Sequence, residues 1–318
     1  MMTGDGVDVI VIGAGLAGLR CASVLADAGC DVRIWEQEDD VGGRVRTDAV
    51  DGFLCDRGFQ VLNPAYPELQ RAVDVSALDL QPFAAGVAVR RQSNAAILVH
   101  PLREPKRVPK MLTSGAIRPA NLLALSRWII PALRPGVLKK TGNSDITLKA
   151  ALDESGVRGE LRRVIDRFLA GVLLDDTGSS SNAFALLLTR MFVLGVPALP
   201  AAGMQALPRL LAAALGDRIA LNHGVNRIER SGTRWQVSGP DGMLLANDVV
   251  VATDPTTAAS LTGSTPPPTH GVVTDWWSSD DIPTARPMLW VDGRSDAPGP
   301  VLNTAVISRG RAWLRATG

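Results

Sequence analysis

Apolar residues are crowded at the start of the chain and then spread to helical spacing, which predicts a strand followed by a helix. Val7, Val9, Ile10, Val11 and Ile12 form a short, nearly continuous apolar run, the pattern of a strand buried in a parallel sheet. Leu16, Leu19, Ala22 and Leu25 follow on one helical face, and Gly29 ends that helix. Asp31–Trp35 then alternates into a second strand that finishes on Glu36.

Further along, the period stays readable. Val87–Arg91 and Ala96–Val99 predict a hairpin, and helix-like patterns dominate after it. Ser144 or Thr147 can cap a helix carrying Ile146, Leu148, Ala151 and Leu152 that ends near Gly156. Leu161, Val164, Ile165, Phe168 and Leu169 recur at three and four, an amphipathic helix. Asp175–Asn182 is a polar break, and Ala183–Leu194 is a strongly apolar helix. Leu207–Leu215 predicts another helix. Ile219–Leu221 and Val225–Ile228 predict a strand pair around Asn222-His223-Gly224, and Trp235–Ser238 with Met243–Leu245 a hairpin around Pro240-Asp241-Gly242. Asp248–Thr253 reads as a buried strand re-entering the sheet, and Val301–Ser308 as a strand of a second unit.

The first turn carries chemistry. Between strand and helix lies Gly13-Ala14-Gly15-Leu16-Ala17-Gly18. Gly13 permits a sharp turn, Gly15 lets backbone approach a pyrophosphate, and Gly18 lets helix and strand pack closely. The helix N-terminus presents free N–H groups and about half a positive charge to that anion. Glu36 is placed to accept hydrogen bonds from a ribose hydroxyl. A second glycine pair, Gly42-Gly43, precedes Arg44, whose planar guanidinium suits phosphate oxygens better than a lysine would.

This stretch, Asp8–Thr47, resembles the N-terminus of the flavoprotein family of amine oxidases, phytoene desaturases and protoporphyrinogen oxidases. The resemblance implies an α/β fold: a Rossmann-like FAD-binding domain with an inserted mixed α+β substrate domain. It implies FAD, with Gly42, Gly43 and Arg44 near the pyrophosphate. Asp56-Arg57-Gly58-Phe59-Gln60-Val61 is similar to the segment that passes the flavin ring, which assigns Gly58, Phe59, Gln60 and Val61 to the site. Leu199-Pro200-Ala201-Ala202-Gly203-Met204 resembles a family turn with Ala202 in place of a glycine, and the backbone of Val225 corresponds to an adenine contact. The domains expected are 1–85 with 198–270 for FAD, and 86–197 with 271–318 for substrate. The family ends with a Gly-Asp strand, turn and helix, but the Gly-Asp pairs here are Gly4-Asp5 and Gly216-Asp217. After Asp254 no such segment follows, so a truncated chain is expected.

Composition bounds the rest. At 318 residues the chain exceeds one ordinary core. Lys plus Arg at 33 against Asp plus Glu at 32 leaves no field to attract nucleic acid. Cys21, Cys30 and Cys55 lack metal spacing, and Cys21 reads as a small buried residue. No signal peptide or membrane-length run is read, which makes the cytoplasm the expected compartment. Arg103, Lys106, Arg107, Lys110 and Arg118 precede Leu122, Leu123, Leu125, Trp128, Ile129, Ile130 and Leu133. That pattern over 103–135 fits either a helix packed on its own domain or peripheral membrane contact.

Catalytic residues are not assigned, because a flavin performs the difficult step itself. His100, His223 and His270 stand apart, and His223 reads as a solvated turn residue. Tyr66 is the single tyrosine, which does not support an aromatic amine cage. The leading expectation is an FAD-dependent oxidoreductase taking a hydride from a substrate C–C or C–N bond, with a phytoene-like substrate ahead of an amine. A catalytically inactive nucleotide-binding remnant and an NAD-dependent dehydrogenase remain alternatives, and oligomeric state is unassigned.

Overall fold

The computed structural model describes residues 6–115, 117–133, 145–281, 284, 286–295 and 299–310. Its first sheet is built on β1 (Val7–Ile12), α1 (Leu16–Asp27) and β2 (Val32–Trp35). β1 and β2 run parallel, with Val9 opposite Val32 and Ile12 opposite Trp35. The continuous apolar run of β1 is explained by burial on both faces. Val9 and Val11 pack with Leu19, Ala22, Ile34 and Leu211, while Ile10 and Ile12 pack with Val237 and Ala246. At about 1.5–3 kcal/mol for each fully buried aliphatic side chain, this two-sided core holds the glycine turn at the end of β1 in place. α1 stops where Gly29 adopts φ +87°, a left-handed position that suits glycine.

The full sheet has six strands, in the order Arg227–Ser231, Arg234–Gly239, Gly242–Val251, β1, β2, Ile219–Ala220. Two expectations are corrected here. Ile219–Ala220 does not pair with Val225–Ile228; it lies parallel to β2, Ile34 opposite Ile219. The turn after it donates from Asn222 N to Glu38 O and from His223 N to Glu36 O, so its hydrogen bonds go to the loop beyond β2. Arg227–Ser231 instead pairs with Arg234–Gly239. The second correction joins Met243–Leu245 and Asp248–Thr253 into one strand, Gly242–Val251. Its first half is antiparallel to Arg234–Gly239 and its second half parallel to β1. Ala246, fully buried, faces both Trp235 and Val7.

A second sheet has the order Asn303–Ala305, Leu289–Asp292, Gly86–Arg90, Ala95–Val99. The expected hairpin is its antiparallel pair, Gly86 opposite Val99, and Leu289–Asp292 runs parallel to Gly86–Arg90. The expected strand in Val301–Ser308 is Asn303–Ala305 alone, followed by a helical turn from Ile307. Helices Pro119–Leu133, Leu148–Ser155, Gly159–Leu173 and Asn182–Leu194 supply the rest. Thr147 caps Leu148–Ser155 by accepting from Ala150 N at 3.2 Å, and Gly156 ends it at φ +84°. The alternative cap Ser144, Met1–Asp5, Arg134 to Lys140 and the tail 311–318 lie outside the described residues.

The polar break at Asp175 is an ordered corner. Asp175, 6% exposed, accepts from the backbone of Thr177 and Ser180 and from the hydroxyls of Thr177, Ser179 and Ser180. Burial pushes its carboxyl up, but those donors outweigh burial and hold it far below the usual carboxylate range. In Pro119–Leu133, Trp128 is buried and donates from Nε1 to Asn182 Oδ1 at 2.8 Å, which turns the tryptophan toward its own helical layer. Leu123, Ile130 and Leu133 remain exposed. Cys21 is half-buried against the first core, less enclosed than expected.

Candidate functional site

The turn between β1 and α1 is shaped by steric demand. Gly13 sits at φ +101°, and a Cβ there would lie 2.9 Å from Ala252 O, at the end of Gly242–Val251. At Gly18 an added Cβ would come within 1.9 Å of Gly13 O, so only glycine lets α1 fold back onto the turn. Gly15 differs. Its backbone, at φ −72° and ψ 176°, is ordinary for any residue, and an added Cβ would meet nothing within 4 Å. The fold itself does not demand glycine there, which points to space kept open for a ligand. Leu16 packs toward the core and Ala17 is exposed beside the opening.

Glu36 closes one side of this opening. It is 6% exposed; its Oε2 accepts from Ala14 N at 2.6 Å and its Oε1 from Glu38 N at 2.9 Å. Each carboxylate oxygen has two lone pairs, so both retain capacity for a hydroxyl donor.

The second glycine loop touches the first. Gly42 N donates to Ala14 O at 2.9 Å, Gly15 and Gly42 form a parallel bridge, and a Cβ on Gly43 would lie 3.5 Å from the Gly15 Cα. Gly42 and Gly43 adopt φ +124° and +56°. Arg44 is exposed, and its carbonyl accepts from Gln60 Nε2 at 2.9 Å. That bond carries the segment Gly58–Val61 to the same place, with Gly58 at φ +98° and Phe59 and Val61 both more than a third exposed. The segment enters no core strand; Leu62 instead bridges to Ala198.

Val225 reaches the site through its neighbours. His223 N donates to Glu36 O at 2.7 Å, and Val225 and Trp35 both pack against the core of Val7, Ile10, Ile12, Val237 and Ala246. His223 is a correction to the solvated reading. It is half-buried, its Nδ1 is 2.9 Å from Leu221 O, and its ring lies 5.8 Å from that of Trp35. Gly13, Gly15, Leu16, Ala17, Gly18, Glu36, Gly42, Gly43, Arg44 and Gln60 are thus brought together, with Val225 at the Glu36 end.

Sequence reasoning missed the residues that hold the second loop. Thr47 Oγ1 donates to Asp56 Oδ1 at 2.6 Å, Asp56 Oδ1 also accepts from Met204 N at 2.9 Å, and Gln205 N donates to Thr47 Oγ1 at 3.1 Å. These partners lie up to 158 positions apart, so no local spacing reveals them. Arg46, two residues beyond Arg44, also belongs to this set. It is 9% exposed and pairs with Asp39 Oδ1 at 2.8 Å, lowering the Asp39 carboxyl.

A separate cleft of about 150 Å³ lies at the second sheet, between Arg91, Glu160, Arg163 and Arg294. It shares no residue with the glycine loops.

Open space at Gly15, two touching glycine loops, the N-terminus of α1 and a buried acid beside them fit a pyrophosphate joined to a ribose. Residues 16–278 match the family model described as flavin containing amine oxidoreductase. A Mycobacterium tuberculosis protein named as a flavin-containing monoamine oxidase is 28% identical over 297 residues, covering 85% of this chain and 62% of that protein. A phytoene dehydrogenase from Streptomyces griseus is 30% identical over 290 residues, covering 81% and 56%. The solved structure of a putrescine oxidase bound to putrescine has the same fold, with a TM-score of 0.55 at 22% identity over 80% of this chain and 60% of that one. The chain spans about three fifths of the length of the relatives it matches.

Proposed function

Because the chain belongs to the family of flavin-containing amine oxidoreductases, whose cofactor is FAD, we propose that it is an FAD-dependent oxidoreductase. It removes a hydride from carbon in a C–C or C–N bond of a small apolar or amine substrate. The observation that carries this reading is the contact between two glycine loops around an opening that Gly15 leaves clear. Gly15, Leu16, Ala17 and Gly18 present backbone N–H groups to the pyrophosphate, joined by Gly43 and Arg44, while Gly13 and Gly42, whose N–H groups donate to Trp35 O and Ala14 O, shape the two turns around it. Glu36 accepts from the ribose, and Val225 meets adenine through its backbone. Gly58, Phe59, Gln60 and Val61 line the ring end. Bound flavin supplies the two-electron oxidation, which leaves the protein to orient the substrate and exclude water.

The cofactor domain comprises 1–85 and 198–270, and the substrate domain 86–197 and 271–318; the division into two sheets supports these limits. A phytoene-like substrate is favoured slightly over an amine, a reading supported by the 30% identity to a phytoene dehydrogenase over 290 residues. Besides packing on its own domain, the stretch 103–135 is read as a peripheral membrane contact, supported by the exposed Leu123, Ile130 and Leu133, which follow Arg103, Lys106, Arg107, Lys110 and Arg118 in sequence. No described helix is long and apolar enough to cross a membrane. Loss of cosedimentation with anionic vesicles on Leu123→Asp would support this contact, and no cosedimentation by the parent chain would exclude it.

The test of function is the nucleotide released on denaturation after incubation with FAD and NAD. FAD and a flavin absorbance band are expected. Gly15→Val should abolish both while leaving the circular dichroism spectrum unchanged, because the site, not the fold, needs that space. Release of NAD, or full flavin content in the variant, would refute the assignment.

A further inference from the structure

The loop bearing Gly42 and Gly43 lies between β2 and Thr47–Val50 and joins no sheet beyond its bridge to Gly15. Its floor is apolar: Val41 packs with Leu211 and Leu215, and a Cβ on Gly42 would lie 3.1 Å from Pro208 Cγ. Apolar contact of this kind sets no unique height. Both shoulders of the loop, however, are bound by one side chain. Gln205 Nε2 donates to Asp40 Oδ2 at 3.0 Å and to Val41 O at 3.1 Å, while its Oε1 accepts from Thr47 N at 3.2 Å. A backbone N–H can only donate and a backbone carbonyl only accept, so the amide has one orientation. Gln205 is 3% exposed, and water is not positioned to replace bonds that are lost.

We propose that Gln205 is a positioning residue for the cofactor: its amide holds both shoulders of the second glycine loop while the Gly42 N–Ala14 O bond joins that loop to the first, and together they set the width of the pyrophosphate cradle. The inference rests on the FAD reading above. Gln205 acts through the loop it holds. A loop free to shift by a fraction of an ångström still folds but loses its fit to the anion.

Two variants test this. Gln205→Met keeps length and removes all three side-chain bonds. A folded chain is expected, with an FAD dissociation constant raised about ten- to a hundredfold, the usual consequence of small misplacement. Gln205→Glu adds a readout that a purely structural role would not move. Its ionised carboxylate faces Asp40 and the Val41 carbonyl without a donor, whereas the protonated form regains one. Burial beside Asp40 raises the carboxyl of such a glutamate, and the Arg209 guanidinium, 2.6 Å from Asp40 Oδ2, opposes that rise in part. FAD affinity of Gln205→Glu should therefore fall as pH rises and the carboxyl ionises, in a step absent from the parent chain. Should Gln205→Met fail to fold, this pH step decides the matter. Parent-like FAD affinity in both variants, even with lowered melting temperatures, would overturn the positioning role and leave the cofactor reading intact. A parent chain that binds no FAD would overturn both.

Discussion

Replacing Glu36 by alanine gives the most direct energetic reading of the site. The carboxylate is 6% exposed and accepts from Ala14 N at 2.6 Å and Glu38 N at 2.9 Å. Removing it strands the N–H of Ala14, which is itself fully buried, in the turn that faces the opening. A hydrogen bond to a charged group contributes about 1.5–3 kcal/mol, and a buried donor left without a partner costs about 1–3 kcal/mol. Part of this loss falls on the free protein. The part that falls on the cofactor is the ribose hydroxyl's charged acceptor, about 1–3 kcal/mol, or a rise in dissociation constant of about 5- to 150-fold. Glu36→Gln should lie between, since the amide oxygen can still accept from Ala14 N while its NH₂ opposes the Glu38 N–H. Titration of the three chains with FAD, followed by flavin fluorescence, gives the order. Unchanged affinity in Glu36→Ala would remove Glu36 from the ribose site.

Other perturbations separate fold from site. Gly18→Ala should prevent native folding, with or without FAD, because its Cβ would lie 1.9 Å from Gly13 O; a cooperative melt near that of the parent chain would refute the helix–turn packing. Asp175→Asn should destabilise the chain by about 2–4 kcal/mol in urea unfolding, since an amide cannot accept all the donors that converge there. Because the Asp175 carboxyl is held below its unfolded value, its contribution is complete above about pH 4 and fades as pH falls through the folded value. The difference between the two chains should therefore shrink in acid, and a constant difference would refute the linkage. Trp128→Phe removes the bond to Asn182 and three heavy atoms from a buried side chain, and should cost about 2–4 kcal/mol. A loss near zero would mean that the indole N–H does not need that partner.

Local rules carried the reading as far as local forces reach. The run Val7–Ile12, the glycines of the first turn and the stop at Gly29 are set by steric and burial demands within a few residues, and the strand, helix and strand follow in place. Thr147 and Gly156 bound their helix for the same reason: a cap hydroxyl and a left-handed glycine act on adjacent backbone. Strand partnership was different. Ile219–Ala220 is as apolar as a hairpin strand, yet it pairs with β2, nearly two hundred residues earlier. Ala246 could be read as the gap between two strands until both ladders are seen to meet on it. The loop anchors were equally hidden. Asp40, Thr47, Asp56 and Gln205 are individually unremarkable polar residues, and they become one network when the turn at Gly203 is brought against the second glycine loop. Spacing along the chain encodes which face of a helix or strand is buried. Which distant backbone groups satisfy one another depends on closing long loops around a common core, and that is settled by the free energy of the whole fold.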